Sequence, residues 1–337
     1  MKLRTKEILK TTNFKRIWNL ALLKISFHLA TLLKKPIHWG KPMALSIEPT
    51  TTCNLRCPQC PSGLRQFTRA TGNLDVAINK KILDQVGSQL QHINYYFQGE
   101  PFIHPHFLDL VKDARERNIY VVTSTNAHFI DPEMAEKIVL SGLSEIIISI
   151  DGLTQETYEH YRINGKLEKV ITGTKNLMAA KQKLKRPNPI VTFQFLVTKH
   201  NEHEIEQLQA LGKELGVDEV RLKSVQVYDF ETGNDLIPEN EAYSRYKKTG
   251  KGRYELKNKF KNKCWRMWSS CVFTWDGKIV PCCFDKDAEH QLGDIQIADF
   301  KTTWKSGIYK EFRSKVFKDR KQIEICKNCS EGSKVWV

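Results

Sequence analysis

The sequence predicts an α/β fold: a partial (β/α)6 barrel, followed by a small cysteine-bearing domain and preceded by an amphipathic helical extension. Three observations carry this. Between residues 44 and 225, six short apolar, β-branched runs alternate with helix-like segments, the pattern of parallel strands joined by right-handed crossovers. The residues with unusual chemistry lie directly after those runs, on the edge where barrel enzymes build their sites. The nine cysteines fall into two groups, three at 53–60 and six at 264–329. Strand–helix alternation alone fits an open doubly wound sheet equally well, and the second observation favours the barrel. At 337 residues the chain is long enough for one large domain and a smaller one.

The extension, residues 1–41, carries ten Lys/Arg against the single Glu7, a charge of +9. From Ile17 to Leu33 it reads IWNLALLKISFHLATLL, between Lys15-Arg16 and Lys34-Lys35-Pro36. A bilayer span needs about 20 mostly apolar residues. This run has 17, with Lys24 near its middle. No small-x-small cleavage site of a secretory signal follows it. Ile17, Ala21, Ile25, Leu29 and Leu32-Leu33 recur at helical spacing, which predicts an amphipathic helix. Two readings follow. The apolar face packs on the chain's own domain, as most such faces do, or residues 15–35 rest on an anionic membrane surface. The first is favoured.

The barrel spans residues 42–244. Its strands are predicted at 44–47, 93–97, 120–125, 145–150, 190–197 and 219–225. Helices are predicted at 77–90, 106–118, 132–141, 155–161 with 167–184, and 203–215. Residues 245–263 follow as a basic linker, nine Lys/Arg against Glu255 for a charge of +8. Tyr246, Tyr254 and Phe260 interleave with these charges in the manner of a base-stacking segment. No RNA-binding module accompanies them, so a solvated linker is favoured and nucleic acid is not the expected partner. The two basic segments account for the net +15, and the rest of the chain sums to about −2.

The chemistry begins after the first strand, in EPTTTCNLRCPQCPSG, where Cys53, Cys57 and Cys60 are spaced Cys-x3-Cys-x2-Cys. Three thiolates on one loop can hold three irons of a cubane and leave the fourth without a protein ligand, the open position that catalysis needs. Zinc usually pairs Cys-x2-Cys with a second pair nearby, and none follows for 200 residues. An odd cysteine count in two tight groups fits metal ligation in a reducing compartment better than disulfides, which places the chain in the cytoplasm. Peripheral attachment at the inner face of the membrane follows from the second reading of residues 15–35. Glu100, in Gln98-Gly99-Glu100-Pro101 at a strand end, is suited to an ammonium group.

These motifs, in this order, resemble the radical S-adenosylmethionine (SAM) enzymes, whose cysteine triad follows the first strand of a partial (β/α)6 barrel. The resemblance implies a 4Fe–4S cluster on Cys53, Cys57 and Cys60, with SAM on the open iron. Gln59 stands at the often aromatic position before the third cysteine. Residues 98–101 resemble the family's Gly-Gly-Glu-Pro segment, with Gln98 for the first glycine, so Gly99 and Glu100 would receive the SAM amino group. Ser124 and Asn126 match positions that contact the ribose or methionine portion. Ser149 and Asp151, in ISIDG, resemble a segment of peptide-modifying members. Arg162 matches an arginine that pairs with the SAM carboxylate, for which its fork is suited. Each of these five residues also fits an ordinary role as a cap, turn or surface ion pair.

The C-terminal cysteines resemble the front of the SPASM pattern, an auxiliary iron–sulfur domain: Cys264-x12-Gly277-x4-Cys282, then Cys326-x2-Cys329. Trp275-Asp276-Gly277 reads as a hairpin turn. The full pattern continues past the last pair, but position 335 is Val335, so the shortened, twitch-type form is expected. This implies one auxiliary 4Fe–4S cluster on Cys264, Cys282, Cys326 and Cys329, with Cys271 and Cys283 as substitutes and zinc as the competing metal. The cluster domain is expected over 264–337.

The resemblance implies reductive cleavage of SAM and hydrogen abstraction from a substrate, supported by a one-electron donor such as a flavodoxin or ferredoxin. Oxidative modification of a peptide or protein is the leading expectation. A sugar or aminocyclitol dehydrogenase is the second. A non-enzymatic iron–sulfur or zinc scaffold on membrane or RNA is the third. No residue that reacts directly with substrate is identified from the sequence.

Overall fold

The computed structural model describes residues 3–257 and 261–329; Phe260 and Val335 lie outside them. The chain opens with helices α1 (Leu3–Thr11) and α2 (Phe14–Leu33). Asn13 caps α2 by accepting from the Arg16 backbone N–H at 3.0 Å.

The barrel follows in strict alternation: β1 (Ala44–Ile47), the one-turn α3 (Pro61–Leu64), α4 (Val76–Val86), β2 (His92–Asn94), α5 (Phe107–Glu116), β3 (Tyr120–Thr125), α6 (Pro132–Leu140), β4 (Glu145–Ser149), α7 (Gln155–Tyr161), α8 (Leu167–Lys183), β5 (Ile190–Val197), α9 (Ile205–Glu214) and β6 (Glu219–Ser224). All five pairings from β1 to β6 are parallel, and β6 is an edge, so the barrel is open. Strands covered on both faces carry near-continuous apolar runs, and every residue of β4 is buried. Leu45, Ile93, Val121, Ile146 and Phe193 join the core under the helices. Tyr120, Val122 and Ile147 point to the concave side.

Strand β2 ends at Asn94, three residues before its predicted end. The Tyr95 N–H makes one further bond to the Val122 carbonyl (2.8 Å). The chain then turns away through Gly99, at φ +73°, and the Glu100 N–H bonds Thr52 instead of a neighbouring strand.

Helix α1 plugs the amino-terminal mouth of the barrel. Arg4 reaches Glu145 (2.9 Å) and Glu219 (2.7 Å), and Ile8 packs on the concave apolar cluster. Helix α2 crosses the same end. Its Arg16 donates to the Asn118 carbonyl (2.6 Å), just before β3, and Asn19 exchanges two hydrogen bonds with Lys41, just before β1. The predicted apolar stripe of this helix is not the face that packs: Ile17, Ile25, Leu32 and Leu33 are exposed, while Arg16, Asn19, Leu23, Ser26 and Ala30 are buried.

Residues 245–257, expected as part of a solvated linker, instead contain an antiparallel pair, β7 (Tyr246–Lys248) and β8 (Tyr254–Leu256). Tyr246 is buried, stacks on Phe230 at 4.7 Å and hydrogen-bonds Asn328, so its ring is spent on packing.

After α10 (Arg266–Ser269), strand β9 (Ser270–Phe273) pairs parallel with β1. Strands β10 (Lys278–Val280) and β11 (Gly293–Asp294) follow antiparallel. The C-terminal hairpin thereby extends the barrel into a nine-stranded sheet, with Gly277 (φ +84°) in the predicted turn. Helices α11 (Phe300–Trp304) and α12 (Gly307–Asp319) pack behind it.

Candidate metal and cofactor centre

The Cys53–Cys60 loop leaves the carboxyl end of β1 and turns directly into α3, whose cap is Cys60. Cys57 is buried, and Cys53 and Cys60 are partly so. Burial pushes the Cys53 thiol up to about 12 and Cys57 up to about 11, so loading iron on them must release protons. The loop is held from outside: the Arg56 N–H bonds the Ile163 carbonyl (3.0 Å), and Leu55, Tyr161, Val225 and Val227 pack around it.

Arg162 ends α7 beside this loop. Its Nε donates to Asp151 Oδ2 at 2.5 Å, and its Nη1 lies 3.8 Å from Cys57 Sγ. Burial opposes the charge, but Asp151 and Cys57 more than offset it, so the guanidinium stays protonated. Asp151 Oδ1 accepts from the Leu196 N–H (2.7 Å), so both its oxygens are occupied within the protein.

Glu100 lies on the opposite side, 2% exposed, accepting from Thr125 Oγ1 (2.7 Å) and from the Asn126 N–H (2.8 Å). Desolvation raises its carboxyl to about 7, with those donors opposing. Asn126 reaches the cysteine loop through Asn54 (2.8 Å). Ser124 and Ser149, two residues beyond Val122 and Ile147 on their strands, continue the concave face toward the same loop. The seven predicted side-chain and backbone positions therefore share the carboxyl end of β2–β4 and its loops.

Gly99 is required there. A Cβ at its positive φ would run into the Thr50 carbonyl oxygen. Gly99→Ala is expected to destabilise the chain by about 1–3 kcal/mol, read as a lower urea midpoint.

Cys264, Cys282, Cys326 and Cys329 form the second group. Cys282 feels the charge of its neighbour Cys283 first, then of Cys264 and Cys329, and Arg320 feels that of Cys329, Cys264 and Cys326. Arg320 is buried and donates to Cys329 Sγ at 2.9 Å. Of the other two cysteines, Cys283 adjoins this group and Cys271 lies apart from it. Cys271 sits in the core beside Tyr309 and Arg313. Cys283 occupies a turn after β10, 3.4 Å from Arg266 Nη1 and facing Tyr96 and Lys223.

A single tetrahedral zinc with bonds of about 2.3 Å holds its sulfurs roughly 3.8 Å apart. Among the described residues no three cysteine sulfurs lie within 4.8 Å of one another. The one grouping that tight, again among the described residues, is His160, His200 and Asp235 on the rim.

Three contacts were not anticipated from the sequence. Gln98 accepts from the Cys60 thiol (3.8 Å), Gln59 Oε1 accepts from the Tyr228 N–H (3.0 Å), and Arg320 serves the second group. The glutamines occupy the two departures from the family pattern, so a departure was itself the available sign. Arg320 is one basic residue among 53.

A cavity of about 840 Å³ lies between α3, the segment 226–232 after β6, and the C-terminal segments 284–289 and 324–328. None of the cysteines lines it, but Pro61, Phe284, Ile325, Lys327 and Asn328, the sequence neighbours of Cys60, Cys283, Cys326 and Cys329, do.

Comparison with known proteins agrees with this geometry. Residues 47–211 match the family model described as the radical SAM superfamily, and residues 264–330 match the SPASM iron–sulfur cluster-binding domain. The chain is 25% identical over 299 residues to a tungsten-containing aldehyde ferredoxin oxidoreductase cofactor-modifying protein of Pyrococcus furiosus, covering 80% of this chain and 82% of that one. It is 31% identical over 189 residues to a PqqA peptide cyclase of Gluconobacter oxydans, covering 56% of this chain and only 50% of the cyclase. Streptococcus suis SuiB, solved bound to S-adenosylmethionine, shares the fold with a TM-score of 0.65 at 16% identity, covering 91% of this chain and 76% of SuiB.

Proposed function

The chain belongs to the radical SAM superfamily and carries a SPASM iron–sulfur domain, and on that premise we propose that it oxidatively modifies a peptide or protein in the cytoplasm. The observation that supports this reading is the 840 Å³ cavity lined by sequence neighbours of both cysteine groups, with room for a few residues of a peptide. Its rim bears Asp229, Glu231, Asp285, Asp287, Glu289 and Glu324 against Lys286 and Lys327, which favours a cationic segment even though the chain as a whole is basic. The peptide cyclase similarity points the same way.

In this reading Cys53, Cys57 and Cys60 hold the SAM-binding cluster, and Cys264, Cys282, Cys326 and Cys329 hold the auxiliary one. A cluster held there would supply the one electron for reductive cleavage of SAM. The protein's own residues do the rest. Glu100 takes the SAM ammonium and Arg162 its carboxylate, while Asp151 fixes the Arg162 fork. Gly99 lets the backbone approach, and Ser124, Asn126 and Ser149 offer polar contacts along the concave face. Arg320 lowers the negative charge on the auxiliary thiolates. An external one-electron donor of the flavodoxin or ferredoxin kind completes the cycle. The working units are 42–244 for the barrel, 245–263 for the connection and 264–337 for the auxiliary domain, with 1–41 closing the base.

Glu100 sets a pH dependence. Its carboxyl is protonated below about 7 and must ionise to receive an ammonium. SAM affinity is expected to rise roughly tenfold per pH unit up to about 7 and then level off. Glu100→Gln should flatten this profile, as read by calorimetry at several pH values.

One observation favours a second reading. The Pyrococcus relative, matched over most of its length, is named for modifying a cofactor, which fits a small-molecule substrate. Mass spectrometry separates the two: peptides encoded beside this chain are incubated with the reconstituted enzyme, SAM and reductant. Loss of two hydrogens from a peptide, coupled to 5′-deoxyadenosine release, supports the first reading. Release without peptide change, together with oxidation of an added small-molecule alcohol, supports the second.

A further inference from the structure

Helix α2 is amphipathic in the inverted sense. Its packing face is Arg16, Asn19, Leu23, Ser26 and Ala30, three of the five polar. The opposite face carries Phe14 (78% exposed), Trp18 (58%), Ile25 (51%) and Leu32 (77%), which succeed one another at helical spacing along one stripe. An apolar stripe of this length turned to solvent marks a surface that something covers.

The charge around it identifies the occupant. Lys15 at one end and Lys34-Lys35 at the other are exposed, and Lys24 lies along the flank over the Trp265 ring. No Asp or Glu occurs between Glu7 and Glu48. No described helix is long and apolar enough to cross a bilayer. We propose that the exposed face of α2 docks the protein on an anionic lipid bilayer, lying in the interface with its aromatic and aliphatic side chains inserted and its lysines at the phosphates. This adds a partner to the proposed function without depending on it.

The fold also gives the orientation. Arg16 and Asn19 tie α2 to the chain just before β3 and β1, and Phe27 packs on Trp268, just before β9. These are the amino-terminal ends of the strands. The cysteine loop leaves the opposite end, so docking turns the cavity away from the lipid and toward water-borne substrate.

The test is vesicle flotation of the full chain with phosphatidylcholine vesicles, with or without 30% phosphatidylglycerol, a fraction chosen to match about one charged lipid in three. The expected result is binding to the anionic vesicles only, lost at least tenfold in Trp18→Ser/Ile25→Ser and in Lys34→Glu/Lys35→Glu. Both double variants should keep the wild-type melting temperature, because the side chains are exposed. A second readout is quenching of Trp18 by brominated lipid, with Trp18→Phe as the control. No binding of the wild type to anionic vesicles would overturn the proposal. So would a concentration-dependent dimer that Trp18→Ser/Ile25→Ser abolishes, since a second copy would then cover the stripe.

Discussion

Cys57→Ala is expected to abolish 5′-deoxyadenosine release, to below a thousandth of the wild-type rate in the presence of dithionite and SAM. Cys57 is the buried member of the triad and the one beside Arg162, so under the proposed assignment its loss would remove an iron ligand and the sulfur that faces the guanidinium. Serine would restore bulk without restoring a soft ligand. Iron content should fall from about eight to about four per chain, because each cubane contributes four. Liquid chromatography of the nucleoside and iron determination check the two halves separately. Retained release in Cys57→Ala would remove the triad from the proposed chemistry.

Cys329→Ala should give the reciprocal result. Its sulfur receives a charge-assisted bond from buried Arg320, so under the proposed assignment the auxiliary site would lose both a ligand and a partner of an interior cation. Iron is again expected near four per chain, now with SAM cleavage retained and product formation lost. Cys271→Ala is the matched control. That thiol lies in the core with Tyr309 and Arg313, and its replacement should leave iron near eight. Loss of iron in Cys271→Ala but not in Cys329→Ala would reassign the ligands.

The barrel was legible because its strands are buried on both faces. Runs such as Glu145-Ile-Ile-Ile-Ser and Ile190–Val197 are too apolar and β-branched to be read otherwise, and they stand at or within one residue of their predicted bounds. The spacing of the first cysteine group was equally readable, because Cys53, Cys57 and Cys60 fall on one short loop.

What the sequence concealed were long-range placements. The pairing of β9 with β1 merges the C-terminal hairpin into the barrel sheet, and no local pattern announces which edge a hairpin joins. The aromatic residue Tyr246 invited a stacking role, but its ring lies on Phe230 and its hydroxyl bonds Asn328, 82 residues away. Helix α2 shows the limit of periodicity most directly. The 3.6-residue repeat located the helix and its stripe, but a repeat does not say which side meets the protein. That was decided by Arg16 and Asn19, polar residues that find backbone partners at the base of the barrel.

Zinc is the chemical competitor at both cysteine groups. The measurement that bears most directly on the account is therefore made on the wild-type chain: anaerobic reconstitution with iron and sulfide, then dithionite and SAM, with the nucleoside product followed by chromatography. The account predicts release of 5′-deoxyadenosine that depends on both SAM and reductant. Its absence from a chain that has taken up about eight irons would contradict it.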